Sequence, residues 1–183
     1  MTLIEAERGD ITEQKVDVIV NAANSTLLGG GGVDGAIHSA AGLDLWEAVN
    51  LLRRDVLPDG LPVGDAVATT AGNLPARWVV HTVGPRYREP HGPEEMLLAS
   101  CHRRSLEVAH ELGARSVAFP AISCGIFGYP PAEAAPVAVR VVRDYAREHP
   151  GHFDAVRFVL FSEDVDAAFR GALADLAGDA PFG

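Results

Sequence analysis

The sequence predicts a layered α/β domain with a largely parallel central sheet. Two patterns carry this expectation. Short apolar segments rich in β-branched residues alternate with longer stretches whose apolar residues recur at helical spacing. Chains that alternate in this way cross helices over a parallel sheet. The two glycine-rich segments both follow strand-like segments, which puts them at the strand ends where such sheets bind ligands. With 183 residues, 48% of them hydrophobic and 22% charged, the chain is large enough to enclose one real core.

The buried strands are expected at Val16–Asn21, Ala66–Thr70, Trp78–Val83, Ser116–Pro120 and Val156–Phe161, with Leu3–Ala6 as an added edge strand. After Asp34, His38 lies four residues on, one helical turn away, and Asp55-Val56-Leu57-Pro58-Asp59 reads as a helix end and loop. From Glu94, residues Leu98, Cys101, Ser105, Val108 and Leu112 share one helix face, and Gly113 supplies a stop. Pro130-Pro131 can open a helix whose apolar face is Ala134, Val137, Ala138, Val141, Val142 and Tyr145. Pro136 suits only a first turn, so a late start or a bend is expected there. Val165, Ala168, Phe169, Ala172, Leu173 and Leu176 mark a last helix, with Asp164 as N-cap or first-turn acid. Residues 1–177 read as a single domain. The loop from Arg86 to Pro93 is the expected mobile excursion, and the tail 178–183 is expected to fray.

Charge narrows the function. A net charge of −10 speaks against general nucleic-acid or anionic-membrane binding. An anionic small ligand would have to be held by backbone amides, because Lys15 is the single lysine. Cys101 and Cys124 have no metal spacing and fit reduced thiols in a cytoplasm. Glu5, Glu7 and Asp10 oppose a signal peptide, and no apolar run approaches the length of a membrane span. A soluble, cytoplasmic monomer is expected.

The segment Gly29-Gly30-Gly31-Gly32-Val33-Asp34-Gly35 follows the first buried strand. Consecutive glycines are costly to order and persist where backbone must bend or approach a ligand. Amides exposed in this way bind phosphate oxygens, above all where they open a helix. Asp34 is then a misplaced charge, facing away from the phosphate or doing chemistry beside it. Gly30–Gly35 formally matches G-x-G-x-x-G with Asp55 about 20 residues on. However, Ala22 to Leu28 intervene before the glycines, and Asp55 does not end a second strand, so the dinucleotide fingerprint fits poorly. No Gly-Lys-Ser/Thr follows, so this is no Walker A loop.

The second loop, Ser123-Cys124-Gly125-Ile126-Phe127-Gly128-Tyr129-Pro130, could offer amides to the other side of the same anion. Phe127 and Tyr129 either give aromatic faces to a ribose or base or cap the core. Cys124 invites a nucleophile role, but the sequence places no base beside it. His38 either orients Asp34 or is a surface or capping histidine, and His81 reads as a satisfied interior one. The remaining histidines show no ligand spacing. Asp10 either caps a short turn or accepts from an exocyclic amino group. Asn21 and Asn24 either satisfy loose backbone groups or hold sugar hydroxyls.

Five blocks together resemble the macrodomain family, and within it the MacroD-type ADP-ribosyl hydrolases. They are Gly9-Asp10-Ile11-Thr12, Val16 to Ser25, Leu27 to His38, His81-Thr82-Val83-Gly84-Pro85, and Ala118 to Ser123 with Gly125 to Pro130. The resemblance implies a three-layer α/β/α fold around a mixed, mainly parallel sheet, with ADP-ribose in a cleft along its crest. It implies that Asp10 accepts from the adenine amino group beside the Ile11 amide. It places the diphosphate between Gly30, Gly31, Gly32 and Val33 and the loop of Ser123, Cys124, Gly125, Ile126, Phe127 and Gly128. Asn21 and Asn24 line the site, Asn24 bonding the distal ribose hydroxyls, against which Phe127 packs. Asp34 and Asn24 form the implied catalytic pair. Asp34 would activate or orient the water that hydrolyses an ester at the distal ribose, and a diphosphate oxygen could instead help hold that water. Neither route requires a metal or redox cofactor.

The implied substrates are ADP-ribosylated acidic side chains of proteins and O-acetyl-ADP-ribose, with ADP-ribosylated nucleic acid still open. A non-catalytic ADP-ribose reader and an ADP-ribose 1″-phosphate phosphatase are the alternatives. The chain departs from the pattern at Ser39, where relatives often carry arginine, and at Cys124, where a small hydroxyl is common.

Overall fold

Successive residues of the central strands face two different cores, which is why those strands read as near-continuous apolar runs. Val18 and Val20 pack with Leu98, Ala138, Val142 and Phe169. Ile19, between them, packs with Ile37, Ala41 and Leu45 on the other side. The computed structural model describes residues 1–178. Its sheet comprises β1 (Leu3–Arg8), β2 (Val18–Ala23), β3 (Ala66–Thr70), β4 (Trp78–Val83), β5 (Ser116–Phe119) and β6 (Ala155–Leu160). The spatial order is β1-β6-β5-β2-β4-β3. Every neighbouring pair is parallel except β3 with β4. The helices α1 (Gly32–Ala41) and α2 (Leu43–Asp55) cover one face, and α3 (Pro93–Glu111), α4 (Pro131–Glu148) and α5 (Glu163–Gly178) cover the other. The result is the expected three-layer α/β/α arrangement with a mixed, mainly parallel sheet.

Several boundaries move, each for a local reason. β2 starts at Val18 and continues through Asn21 to Ala23, because its ladder with β4 runs on to the Ala23–Val83 pair. Asp17 below it is an anchor: its carbonyl accepts from Arg77 and Trp78, and its carboxylate accepts from the Arg115 amide. β6 ends at Leu160 and leaves Phe161 89% exposed. The glycine run is only half a loop, since Gly32 already opens α1. The buried stripe of α3 includes His102, Leu106 and Ala109, while Val108 and Leu112 are half-buried. Gly178 closes α5, and the remainder of the expected frayed tail, 179–183, lies outside the described residues. No helix among the described residues is long and apolar enough to cross a membrane.

Pro136 produces no late start, for α4 is continuous from Pro131 and carries this proline in its second turn. The missing N–H leaves the Ala132 carbonyl without its helical donor. Ala132 and Pro136 both lie on the exposed face, where the carbonyl is open to solvent. Proline is nevertheless a poor interior helix residue, by about 3 kcal/mol against alanine. Its stiffening of the unfolded chain offsets about 1 kcal/mol of that. Pro136→Ala is therefore expected to raise the unfolding free energy by about 1–2 kcal/mol, read as a higher urea midpoint at unchanged slope.

Candidate active site

All of the parallel strands point their carboxyl ends at one edge, so the loops after β1, β2, β4, β5 and β6 meet along a single crest. The β2–α1 connection is held by Asn24. Its Oδ1 accepts from the Thr26 amide (3.1 Å) and hydroxyl (2.5 Å), and its Nδ2 donates to the Gly29 carbonyl (2.8 Å). This leaves one Nδ2 hydrogen free. Gly30 lies where a side chain would crowd both Asn24 Nδ2 (3.2 Å) and Asp34 Oδ2 (3.3 Å). Gly35 is demanded by packing, because a Cβ there would sit 2.6 Å from the Gly30 carbonyl oxygen. No side chain caps α1, and among the described residues the amides of Gly30 to Asp34 donate to no protein group. They are free donors at the positive end of a helix dipole.

The second loop, between β5 and α4, leaves the same edge of the sheet beside the first, because β5 and β2 are neighbours. Its Cys124 and Gly128 amides are spent internally, on the carbonyls of Ala121 (3.2 Å) and Gly125 (3.0 Å). The amides of Ser123, Gly125, Ile126 and Phe127 have no protein partner among the described residues. Ser123 is buried and holds a left-handed backbone, with φ of 67°. Its hydroxyl packs against Gly84, where any side chain would collide with it. The β4–α3 loop is tied to this one, as the Tyr87 amide donates to the Phe127 carbonyl (2.9 Å) and the Arg86 guanidinium lies 4.8 Å from the Phe127 ring centre. That bond anchors the start of the segment expected to be a free excursion. Tyr129 is buried edge-on against Tyr87 and caps the core, whereas Phe127 stays at the crest. Burial pushes the Cys124 thiol up to about 12, which keeps it protonated and unsuited to nucleophilic attack near neutral pH.

Asp34 sits in the first turn of α1 and is only 5% exposed. Its Oδ1 accepts from Asn21 Nδ2 at 2.7 Å. His38, one turn on, brings Nε2 to 3.5 Å from the same oxygen, too far for an aligned hydrogen bond. The His38 ring is largely buried and edge-on to Trp46, so it is not a surface histidine. His81 is fully buried between Asn21 and Thr69, and desolvation, reinforced by His38, lowers its pKa to about 3.

At the far end of the crest, Asp10 caps the short 3-10 helix Ile11–Glu13. Its Oδ1 accepts from both the Thr12 amide (2.9 Å) and hydroxyl (2.6 Å), while its Oδ2 has no protein partner among the described residues. The Ile11 side chain is buried in the core beside Ile19 and Ile37. Phe161 lies next to this turn, because the Gly9 amide bonds the Leu160 carbonyl (3.1 Å) and Arg8 reaches the Phe161 carbonyl. The sequence reading missed Phe161 by placing it inside a strand. It also missed Thr69 and the loop contact of Arg86. The available signal for Phe161 was a large aromatic just before the acidic start of a helix, at the ligand edge.

Two loops with unpartnered main-chain amides, a buried acid in the first turn of α1 and an exposed aromatic lie at the ligand edge of this α/β/α domain. A family model described as Macro domain matches residues 20–138. The chain is 55% identical over 172 residues to a macro domain-containing protein of Streptomyces griseus, covering 94% of this chain and 95% of that one. It is 50% identical over 161 residues to the O-acetyl-ADP-ribose deacetylase of Escherichia fergusonii, covering 88% and 89%. The Oceanobacillus iheyensis macrodomain solved with ADP superposes with a TM-score of 0.90 at 41% identity, over 94% of this chain and 90% of that one. The Trypanosoma brucei macrodomain in complex with ADP-ribose gives 0.81 at 38%, over 93% and 68%. The chain belongs to the macrodomain family.

His81 and the equally buried His102 of α3, whose pKa falls to about 4, make stability depend on acid. Both folded values lie below the ordinary 6.5, so the unfolded chain binds protons first as pH falls. This contribution is complete above about pH 6.5 and is lost as pH drops towards about 4 for His102 and 3 for His81. Urea unfolding at descending pH is expected to show that decline, and His102→Leu, away from the crest, is expected to flatten it.

Proposed function

We propose that this macrodomain is a hydrolase of ADP-ribose esters, deacetylating O-acetyl-ADP-ribose and removing mono-ADP-ribose from acidic side chains of cytoplasmic proteins, as a monomer with no resident metal or cofactor. The observation that carries this reading is the state of the Asp34 carboxylate. Oδ1 is held by Asn21, while Oδ2 has no donor among the described residues and lies beside Gly30. A reader of ADP-ribose needs no buried acid with one oxygen left over; a hydrolase needs one to hold water.

The crest suits the length of the ligand. Asp10 follows β1 and the glycine loop follows β2, three strand spacings apart, about 14 Å. Adenine would stack on Phe161 and give its amino group to Asp10, near the Ile11 amide. The diphosphate would lie between the amides of Gly30–Val33 and those of Ser123, Gly125, Ile126 and Phe127. Cys124 and Gly128 would shape the second loop, since their own amides are already bonded. The distal ribose would then reach Phe127, Asn24 and Asp34, with the spare Asn24 hydrogen for a hydroxyl.

With the ester so placed, a water held by Oδ2 attacks the acyl carbon and gives its proton to that oxygen. The bond from acyl carbon to ribose oxygen breaks, and the departing oxygen takes up the proton. ADP-ribose and a carboxylic acid result. The amides fix the diphosphate and thereby the ester, so the water and the carbon meet at short range.

Asp34→Ala is expected to lower kcat on O-acetyl-ADP-ribose and on a glutamate-modified protein by about a hundredfold or more, with ADP-ribose affinity by calorimetry little changed. Undiminished turnover would remove the general-base role and favour the diphosphate as the group that holds water. Tight binding with no cleavage of any ester by the wild type would favour a reader, and phosphate release from ADP-ribose 1″-phosphate would favour the phosphatase. Asp10→Ala is expected to weaken ADP-ribose while leaving an analogue without the adenine amino group unaffected. Equal losses for both ligands would remove Asp10 from base recognition.

A further inference from the structure

Behind Asp34 runs a line of buried polar side chains that the chemistry above does not use. Asn21 and His81 are directly paired in the β2–β4 register. Thr69 on β3 is two residues from Val67, the β3 partner of His81, so it shares their face of the sheet. Asn21 and His81 are fully buried and Thr69 is 8% exposed.

The direction of each hydrogen bond follows from one end. A carboxylate only accepts, so the Asn21 group within 2.7 Å of Asp34 Oδ1 must be its NH2. The second hydrogen of that nitrogen points at His81 Nδ1, 3.1 Å away. Nδ1 therefore carries the lone pair, and the ring hydrogen sits on Nε2. Nε2 donates to Thr69 Oγ1 at 2.9 Å, and the Thr69 hydroxyl donates onward to the Thr70 carbonyl at 3.0 Å. The opposite tautomer would present an N–H to Asn21, turn the amide oxygen towards the ring and withdraw the donor from Asp34. Burial keeps this ring neutral near pH 7, so what it transmits is its tautomer and not a charge.

We propose that His81 and Thr69 are positioning residues for the reaction at Asp34: Thr69 selects the Nε2–H tautomer of His81, which orients the Asn21 amide, which fixes Asp34 Oδ1 and leaves Oδ2 free for water. This rests on Asp34 being the group that holds the attacking water. The line reaches from the edge strand β3 through β4 and β2 to the first turn of α1, and neither Thr69 nor His81 need touch substrate. Thr69→Val removes the acceptor at almost constant shape, and Thr69→Ser keeps it.

The test reads the ring nitrogens of His81 and the side-chain amide of Asn21 by nitrogen-15 NMR, together with O-acetyl-ADP-ribose turnover. The wild type and Thr69→Ser are expected to show the Nε2–H pattern and equal kcat. Thr69→Val is expected to shift the ring towards Nδ1–H, move the Asn21 amide signals, and lower kcat about ten- to a hundredfold, with KM and ADP-ribose affinity held. A wild-type ring protonated on Nδ1, or Asn21 signals unmoved in Thr69→Val, would overturn the proposal without any turnover being measured. Normal kcat in Thr69→Val beside a dead Asp34→Ala would overturn it alone. A fully active Asp34→Ala would instead remove Asp34 as the group that holds water, and with it the part of this line in the reaction, leaving the NMR result to decide the hydrogen-bond line.

Discussion

A carboxylate held almost out of water at the start of a helix is the constraint around which this crest is arranged. An isolated buried charge is prohibitively costly, and it persists only when donors replace the water it has lost. Asp34 finds them in the Asn21 amide, 2.7 Å away, and in the positive end of the α1 dipole. Both come from the same connection. β2 must end so that Asn21 faces α1, and α1 must begin within the glycine run so that its third residue returns over the strand. Gly35 allows that return, since the Gly30 carbonyl occupies the space of a side chain.

The glycine run thus has two jobs that pull in different directions. The amides of Gly30 to Asp34 have no protein partner among the described residues and offer donors to an anion in a chain of net charge −10 with a single lysine. The acid beside them would repel that same anion if it shared its space. Hydrogen bonding separates them: the carboxylate is tied through Oδ1 to Asn21, whereas the amides are spent on no protein group among the described residues. The second loop meets the same need by a different device, a buried left-handed Ser123 packed on Gly84. Bonding to the Phe127 carbonyl then joins the β4–α3 loop to this wall of the cleft.

Much of the frame was legible in the sequence. Ala66–Thr70 and Trp78–Val83 agree residue for residue with β3 and β4, because short β-branched segments bounded by turn residues have few other solutions. The two glycine loops were placed on the correct edge by the rule that loops after parallel strands share one side. What periodicity could not supply was where hydrogen bonding, and not apolarity, carries an element onward. β2 extends past its apolar run, Phe161 falls outside β6, and α1 begins on glycines that local propensity assigns to a loop.

The sequence by itself determined the alternation of strands and helices, the reliance on main-chain amides for an anion, and the presence of an acid among glycines. These depend on residue type and short spacing, which a chain displays before it folds. Tertiary structure alone decided that Oδ1 of Asp34 is occupied while Oδ2 has no donor among the described residues, that Cys124 is a half-buried thiol whose pKa is pushed up, and that Thr69, His81 and Asn21 form one line. Asn21 and His81 are 60 positions apart and Thr69 and His81 are 12 apart, and the three come together only because β4 lies between β2 and β3. Hydrogen-bond direction is a property of neighbours, and the order of strands in the sheet chooses the neighbours.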